Sequence, residues 1–87
     1  MKYRSRTDIV GQILDAANGG ATKTKIMYKA YLSYAQLKEY LSTLTENGLL
    51  EYVEEERKYK TTEKGNKFQR IYSQMSGMTG EMRKVAV

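Results

Sequence analysis

Between residues 7 and 17 the apolar positions Ile9, Val10, Ile13, Leu14 and Ala17 recur at three- and four-residue steps, the spacing of one buried helical face. Ser5 or Thr7 can cap the start of this helix by accepting from its free backbone N–H groups. Asn18-Gly19-Gly20 then supplies residues that tolerate the left-handed conformation of a helix end. A second, shorter helix is predicted over about residues 23–30, capped by Thr22, with Ile26, Met27 and Ala30 facing inward. Tyr31-Leu32-Ser33 makes a tight connection to a third helix. Its start carries the S-x-x-Q spacing of a capping box at Ser33 and Gln36. Leu37, Leu41 and Leu44 stripe that helix over about residues 34–45, and Asn47-Gly48 stops it.

After Gly48 the period changes. Residues 49–54 read as a strand, Glu55 and Glu56 as a charged turn, and residues 57–61 as the returning strand of a small hairpin. Thr62 can cap a last helix from Glu63 to at least Gln74. From Phe68 onward the apolar residues fall at Phe68, Ile71, Met75, Met78, Met82 and Val85, alternating steps of three and four that trace a coiled-coil seam. Gly77 and Gly80 interrupt it, each costing about 1 kcal/mol of helix propensity relative to Ala. Residues 77–87 therefore read equally as an extension of the helix and as a tail.

The chain has 87 residues, enough for one domain and not two. It divides into a basic arm (1–6), a central unit (7–61), a last helix (62–76) and the extension or tail (77–87). With no Cys and no His there is no disulfide framework, zinc finger, thiol nucleophile or imidazole base. Neither catalytic residues nor a metal, cofactor or small-molecule ligand is expected. Apolar runs stop at two or three residues, so neither a membrane span nor a signal peptide is expected, and a cytoplasmic, nucleoid-associated location is.

Charge adds direction. Fifteen Lys and Arg against ten Asp and Glu leave +5, a balance that favours an anionic partner. It is also segregated. Residues 1–44 hold seven basic and three acidic groups, residues 45–56 only five Glu, and residues 57–70 six basic groups and one Glu.

Helix, helix, tight turn, helix and hairpin is the order of a winged helix-turn-helix. The residues sharpen this. The run from Ala21-Thr22-Lys23-Thr24-Lys25-Ile26-Met27-Tyr28 through Lys29-Ala30-Tyr31-Leu32-Ser33-Tyr34, with Gln36-Leu37 and Tyr40-Leu41, resembles the archaeal winged-helix family of predicted transcriptional regulators. So do Asn47-Gly48-Leu49-Leu50 and Tyr59-Lys60-Thr61-Thr62-Glu63-Lys64-Gly65, and the resemblance covers about residues 7–72. It implies an α+β winged helix-turn-helix: three helices, a two-stranded wing and a C-terminal helix. It also implies duplex DNA as partner, in transcription regulation or chromatin. Some relatives are small chromatin-associated proteins that dimerise through the C-terminal helix. A like homodimer here would use Phe68, Ile71, Tyr72, Met75 and Met78.

An α-helix fits the major groove and reads base edges there. With the leucine stripe inward, the third helix presents Ala35, Gln36, Lys38, Glu39, Ser42 and Thr43, with Ser33 and Tyr34 at its start. Gln36 either bonds adenine or closes the capping box with Ser33. Lys38 can reach guanine or phosphate and Glu39 can accept from cytosine, unless both simply face solvent. Phosphates fall to Lys23 and Lys25 at the start of the second helix, Arg4 and Arg6 on the arm, and Arg57, Lys58 and Lys60 on the wing. Glu54-Glu55-Glu56 opposes this at the wing tip, so the tip points away from DNA or meets a protein. The alternative is accordingly a protein-interaction module that binds no DNA. The eight tyrosines are expected mainly as half-buried core positions, with stacking on single-stranded bases as the other use.

Overall fold

Each of the first three helices begins where the sequence supplies an oxygen for its free N–H groups. The computed structural model of the protein describes residues 4–86, and the side chains of residues 4–74. α1 (Arg6–Ala17) is capped by Ser5, whose hydroxyl accepts from the Asp8 N–H at 3.0 Å while the Asp8 carboxylate accepts from the Ser5 N–H at 3.0 Å. α2 (Lys23–Lys29) is capped by Thr22, and α3 (Tyr34–Glu46) by Ser33 in the reciprocal box with Gln36. β1 (Leu50–Val53) and β2 (Lys58–Thr61) pair antiparallel, Leu50 opposite Thr61 and Tyr52 opposite Tyr59. α4 (Glu63–Ala86) follows. This is the α+β winged helix-turn-helix order expected from the sequence.

The core gathers one stripe from each early element. Ile13 and Leu14 of α1, Ile26 of α2, Leu37 of α3 and Leu50 of β1 are essentially sealed from solvent, and each such side chain contributes roughly 1.5–3 kcal/mol. Leu41 and Leu44 complete the α3 stripe.

Two helix ends are built alike from different residues. At the end of α3 the Leu49 N–H donates to the Leu44 carbonyl and the Gly48 N–H to that of Thr45, a Schellman motif with Gly48 left-handed at φ 76°. At the end of α2 the Leu32 N–H donates to Met27 and the Tyr31 N–H to Tyr28, but the left-handed residue is Tyr31, at φ 53°. A non-glycine residue there costs roughly 1–2 kcal/mol. Arg4 offsets it. Its guanidinium donates to the Ala30 carbonyl and, at 2.8 Å, to that of Tyr31.

The segment Thr61-Thr62-Glu63-Lys64-Gly65 clamps the wing and α4 onto the body. Thr61 Oγ1 donates to the Leu14 carbonyl at 2.7 Å, and Thr62 Oγ1 to that of Gly48 at 2.6 Å while accepting from the Gly65 N–H. Lys64 Nζ donates to the Asn47 carbonyl at 2.8 Å. Gly65 passes so close to Leu49 that a Cβ would lie 2.4 Å from the Leu49 carbonyl oxygen. Glycine is required there by space. Further along, α4 lies against α1 at Gly11, where a Cβ would meet the Tyr72 ring at 3.0 Å. The Tyr72 hydroxyl donates to the Asp8 carboxylate, and Gln69 Nε2 to the Gly11 carbonyl at 3.0 Å.

Several boundaries differ from the expectation. The strands are shorter: Glu54 and Arg57 belong to the turn, because Arg57 takes a left-handed φ of 54° that an extended strand does not allow. α1 begins at Arg6, since Ser5 rather than Thr7 is its cap. α3 runs one residue further, to Glu46. Of the two readings for residues 77–87, the helix continues, to Ala86. The tyrosines divide. Tyr40, Tyr59 and Tyr72 are half-buried as expected, but Tyr28, Tyr31, Tyr34 and Tyr52 are 70%, 78%, 58% and 46% exposed. All four lie outside the core because the Ile and Leu stripe already fills it. Tyr3 lies outside the described residues.

Two outcomes follow from these contacts. Arg4→Ala lowers the free energy of unfolding by about 1–3 kcal/mol, as two charge-assisted bonds to backbone carbonyls are lost; an unchanged urea midpoint contradicts it. The Tyr72 hydroxyl, then the Ser5 backbone and hydroxyl, hold the Asp8 carboxyl below its ordinary value of 3.8. A carboxyl depressed in the folded state contributes stability that is fully present above its unfolded pKa and lost as pH falls through the folded one. Tyr72→Phe therefore raises the Asp8 pKa in an NMR titration and flattens the acid limb of the stability curve. An Asp8 titration identical in both proteins contradicts the assignment.

Candidate nucleic-acid interface

The wing is anchored at its middle. Tyr59 exchanges two hydrogen bonds with Ala21, N–H to carbonyl at 2.8 and 2.9 Å, so the residue two before Lys23 is stitched to β2. This brings the start of α2, the exposed side of α3 and the wing around one open cavity of about 480 Å³. Along α3 it is lined by Tyr34, Lys38, Leu41, Ser42, Thr45 and Glu46, a single helical face. Tyr52 and Tyr59 line it from the wing, and Lys23 from α2.

The register of the hairpin decides what the wing offers this cavity. Side chains alternate across a strand, so Leu50, Tyr52, Tyr59 and Thr61 share one face while Val53, Lys58 and Lys60 share the other. The stems of Lys58 and Lys60 pass over Gly20. Lys60 Nζ also lies 3.9 Å from the Glu56 carboxylate. The wing's cations therefore face away from α3, and its wall on the α3 side is aromatic. Tyr52 and Tyr59 pack ring to ring at 4.9 Å, tilted by 53°.

The expected site residues separate into three sets. Lys23, Tyr34, Lys38 and Ser42 come together around the cavity. Arg6, Glu39 and Thr43 lie on the other flank of α3, toward α1, around a smaller cavity of about 130 Å³. There Arg6 stands 3.7 Å from the Glu39 carboxylate and 5.9 Å from the Tyr40 ring centroid. A third set is occupied by the fold: Arg4 at the α2 end, and Ser33 with Gln36 in the capping box. Ala35 and Lys25 are exposed, and Arg57 stands in the exposed turn with Glu54, Glu55 and Glu56. Ser42 Oγ donates to Glu46 at 3.3 Å, and Lys38 Nζ lies 5.6 Å from the Tyr34 ring centroid. Among the described residues no carboxylate is within ion-pair distance of Lys23, Lys25 or Lys38.

The residues expected at a dimer contact also divide. Phe68 packs partly buried against the core and Tyr72 against α1, whereas Ile71 is 58% exposed. The side chains of Met75 and Met78 lie outside the described residues. No group of His, Cys, Asp or Glu suited to a metal occurs among the described residues, nor any helix long and apolar enough to cross a membrane.

Sequence reasoning missed the Ala21–Tyr59 rungs, the Arg4 contact and the aromatic wall. The first leaves no mark beyond an alanine between a glycine pair and a cap. For the wall, the alternation within each strand was legible, but the register that sets Tyr52 and Tyr59 on one face was not.

A comparison with curated protein sequences finds no match. Among solved structures the chain is similar to Sso10a-2, a DNA-binding protein from Sulfolobus solfataricus, with a TM-score of 0.85 over 95% of this chain and 90% of that one. At 22% identity this likeness concerns the fold. The family model for the winged helix-turn-helix matches residues 3–80, nearly the whole chain. With three helices, a paired wing and a match of that extent, the chain belongs to the winged helix-turn-helix family.

Proposed function

We propose that this domain binds duplex DNA, with α3 in the major groove and lysines of α2 and α3 on phosphates. One observation carries the reading: Lys23 and Lys38 border the same cavity beside the exposed face of α3, and neither is paired with a carboxylate among the described residues. Unpaired lysines cost no broken ion pair when they take up phosphates, and counterion release then drives binding. The similarity to Sso10a-2, itself a DNA-binding protein, supports the same reading.

The base-reading side is thin. Gln36 is occupied by the capping box, Glu39 faces Arg6, and α3 has no Arg to take the commonest guanine contact. Phosphate contacts position a protein without reading sequence. The reading therefore favours a chromatin-associated role with weak sequence preference over a regulator of one operator.

A homodimer through α4 is part of the proposal. Exposed Ile71 opens a seam that the sequence continues at Met75, Met78, Met82 and Val85. Phe68 and Tyr72 stay with the body of each protomer.

Two measurements test the parts separately. Anisotropy titrations of a labelled random duplex at several salt concentrations give a log–log slope of about −0.9 per phosphate contact. Changing Lys23, Lys25 and Lys38 together to Gln makes that slope shallower by about 2–3; a slope and affinity unchanged from wild type contradict the interface. In sedimentation at tens of micromolar the wild type runs as a dimer and Ile71→Asp as a monomer, and a monomeric wild type overturns the dimer.

A further inference from the structure

The cavity between α3 and the wing is an unusual lining for a face that meets only duplex. Its two walls are aromatic: Tyr34 on α3, more than half exposed, and the Tyr52–Tyr59 pair on the wing, with Tyr52 46% exposed. Among the described residues no carboxylate pairs with Lys23 or Lys38 on its border, and Lys38 lies 5.6 Å from the Tyr34 ring centroid. Exposed aromatic faces beside unpaired cations are what a single strand needs, because unpaired bases offer their π-faces and the phosphates between them need positive charge. In a duplex those faces are hidden by stacking, and only base edges and phosphates are presented.

We propose that this groove is a binding site for single-stranded DNA, with bases stacked on Tyr34 and Tyr52 and the flanking phosphates on Lys23 and Lys38. The polar residues further along α3 fit that occupant. Ser42 and Glu46 face the groove, Glu46 as an acceptor, and each of the four bases carries at least one N–H donor on its Watson–Crick edge. The same carboxylate keeps phosphate away from that end, which sets the strand's phosphates toward the lysines. From Tyr34 to Glu46 the α3 face runs about 18 Å at 1.5 Å per residue, room for a short run of nucleotides rather than one base. Strand binding in this groove shares Lys23 and Lys38 with the proposed duplex contact, and the two are told apart at the tyrosines.

The chain contains eight Tyr and no Trp, so its intrinsic emission reports tyrosine stacking directly. Oligodeoxythymidylate of about 16 nucleotides, the upper end of one small domain's footprint, is titrated against that emission, with a labelled duplex measured in parallel. The wild type binds the strand with quenched tyrosine emission. Tyr34→Leu with Tyr52→Leu weakens strand binding about tenfold or more, the loss expected for one to two stacked bases, and by a clearly larger factor than it weakens duplex binding. Tyr34→Phe with Tyr52→Phe keeps strand affinity within about threefold, since stacking needs the ring and not the hydroxyl. Both tyrosines are exposed, and far-UV circular dichroism confirms that each variant is folded. If the leucine pair does not fold, Tyr52→Leu alone replaces it and weakens strand binding more than duplex binding.

Four results overturn the proposal: no strand binding where duplex still binds, strand binding unchanged by the leucine pair, equal losses for strand and duplex, or a phenylalanine pair as weak as the leucine pair. Absence of binding to strand and duplex alike removes both this site and the duplex reading.

Discussion

Two hydrogen bonds between Ala21 and Tyr59 hold the start of α2 and the wing together beside the exposed side of α3. A two-stranded hairpin is marginal in water on its own, so a wing is only as well placed as whatever it is tied to. Here it is tied at Tyr59, in the middle of the second strand. The partner residue stands immediately before the cap of α2. One short contact thereby fixes the distance between Lys23, the aromatic wall of the wing and the exposed side of α3. The clamp from Thr61 to Gly65 secures the other end of the strand, on Leu14, Gly48 and Leu49.

Once those supports are in place, the polar residues of α3 fall into two groups by whether the fold already uses them. Gln36 and Ser33 satisfy backbone N–H groups at the helix start, and Glu39 faces Arg6 across the α1 flank. Lys38 and the neighbouring Lys23 have no such obligation among the described residues. Charge without base readers gives affinity that depends on salt more than on sequence. The acidic residues Glu54 to Glu56 are not among those lining the cavity, whose wing side is formed by Tyr52 and Tyr59.

The elements themselves were legible because each carries its own punctuation. Ser33 and Gln36 at S-x-x-Q spacing, Thr22, Asn47-Gly48 and the leucine stripe of α3 are local signals, and the structure uses each for the role its chemistry suggests. What was not legible depends on residues distant in the chain. Arg4 reads as a free cation on a basic arm, yet its guanidinium reaches Ala30 and Tyr31, 26 and 27 residues away. Gly11 interrupts an apolar face for no local reason; the Tyr72 ring, from α4, is the reason. Four tyrosines read as core are exposed because thirteen smaller apolar residues fill the interior without them. Composition says how many aromatics there are, and only the packing says which are left outside.

The proposed interface places anionic nucleic acid on the face shared by α2, α3 and the wing. Amide chemical-shift mapping during titration with a short random duplex tests it most directly. The largest shifts are expected at Lys23, Lys25, the exposed positions of α3 from Tyr34 to Ser42, and the wing strands, with α1 around Asp8 and Asp15 nearly still. Shifts centred instead on the α1–α4 side, or no shifts at low salt, would contradict it.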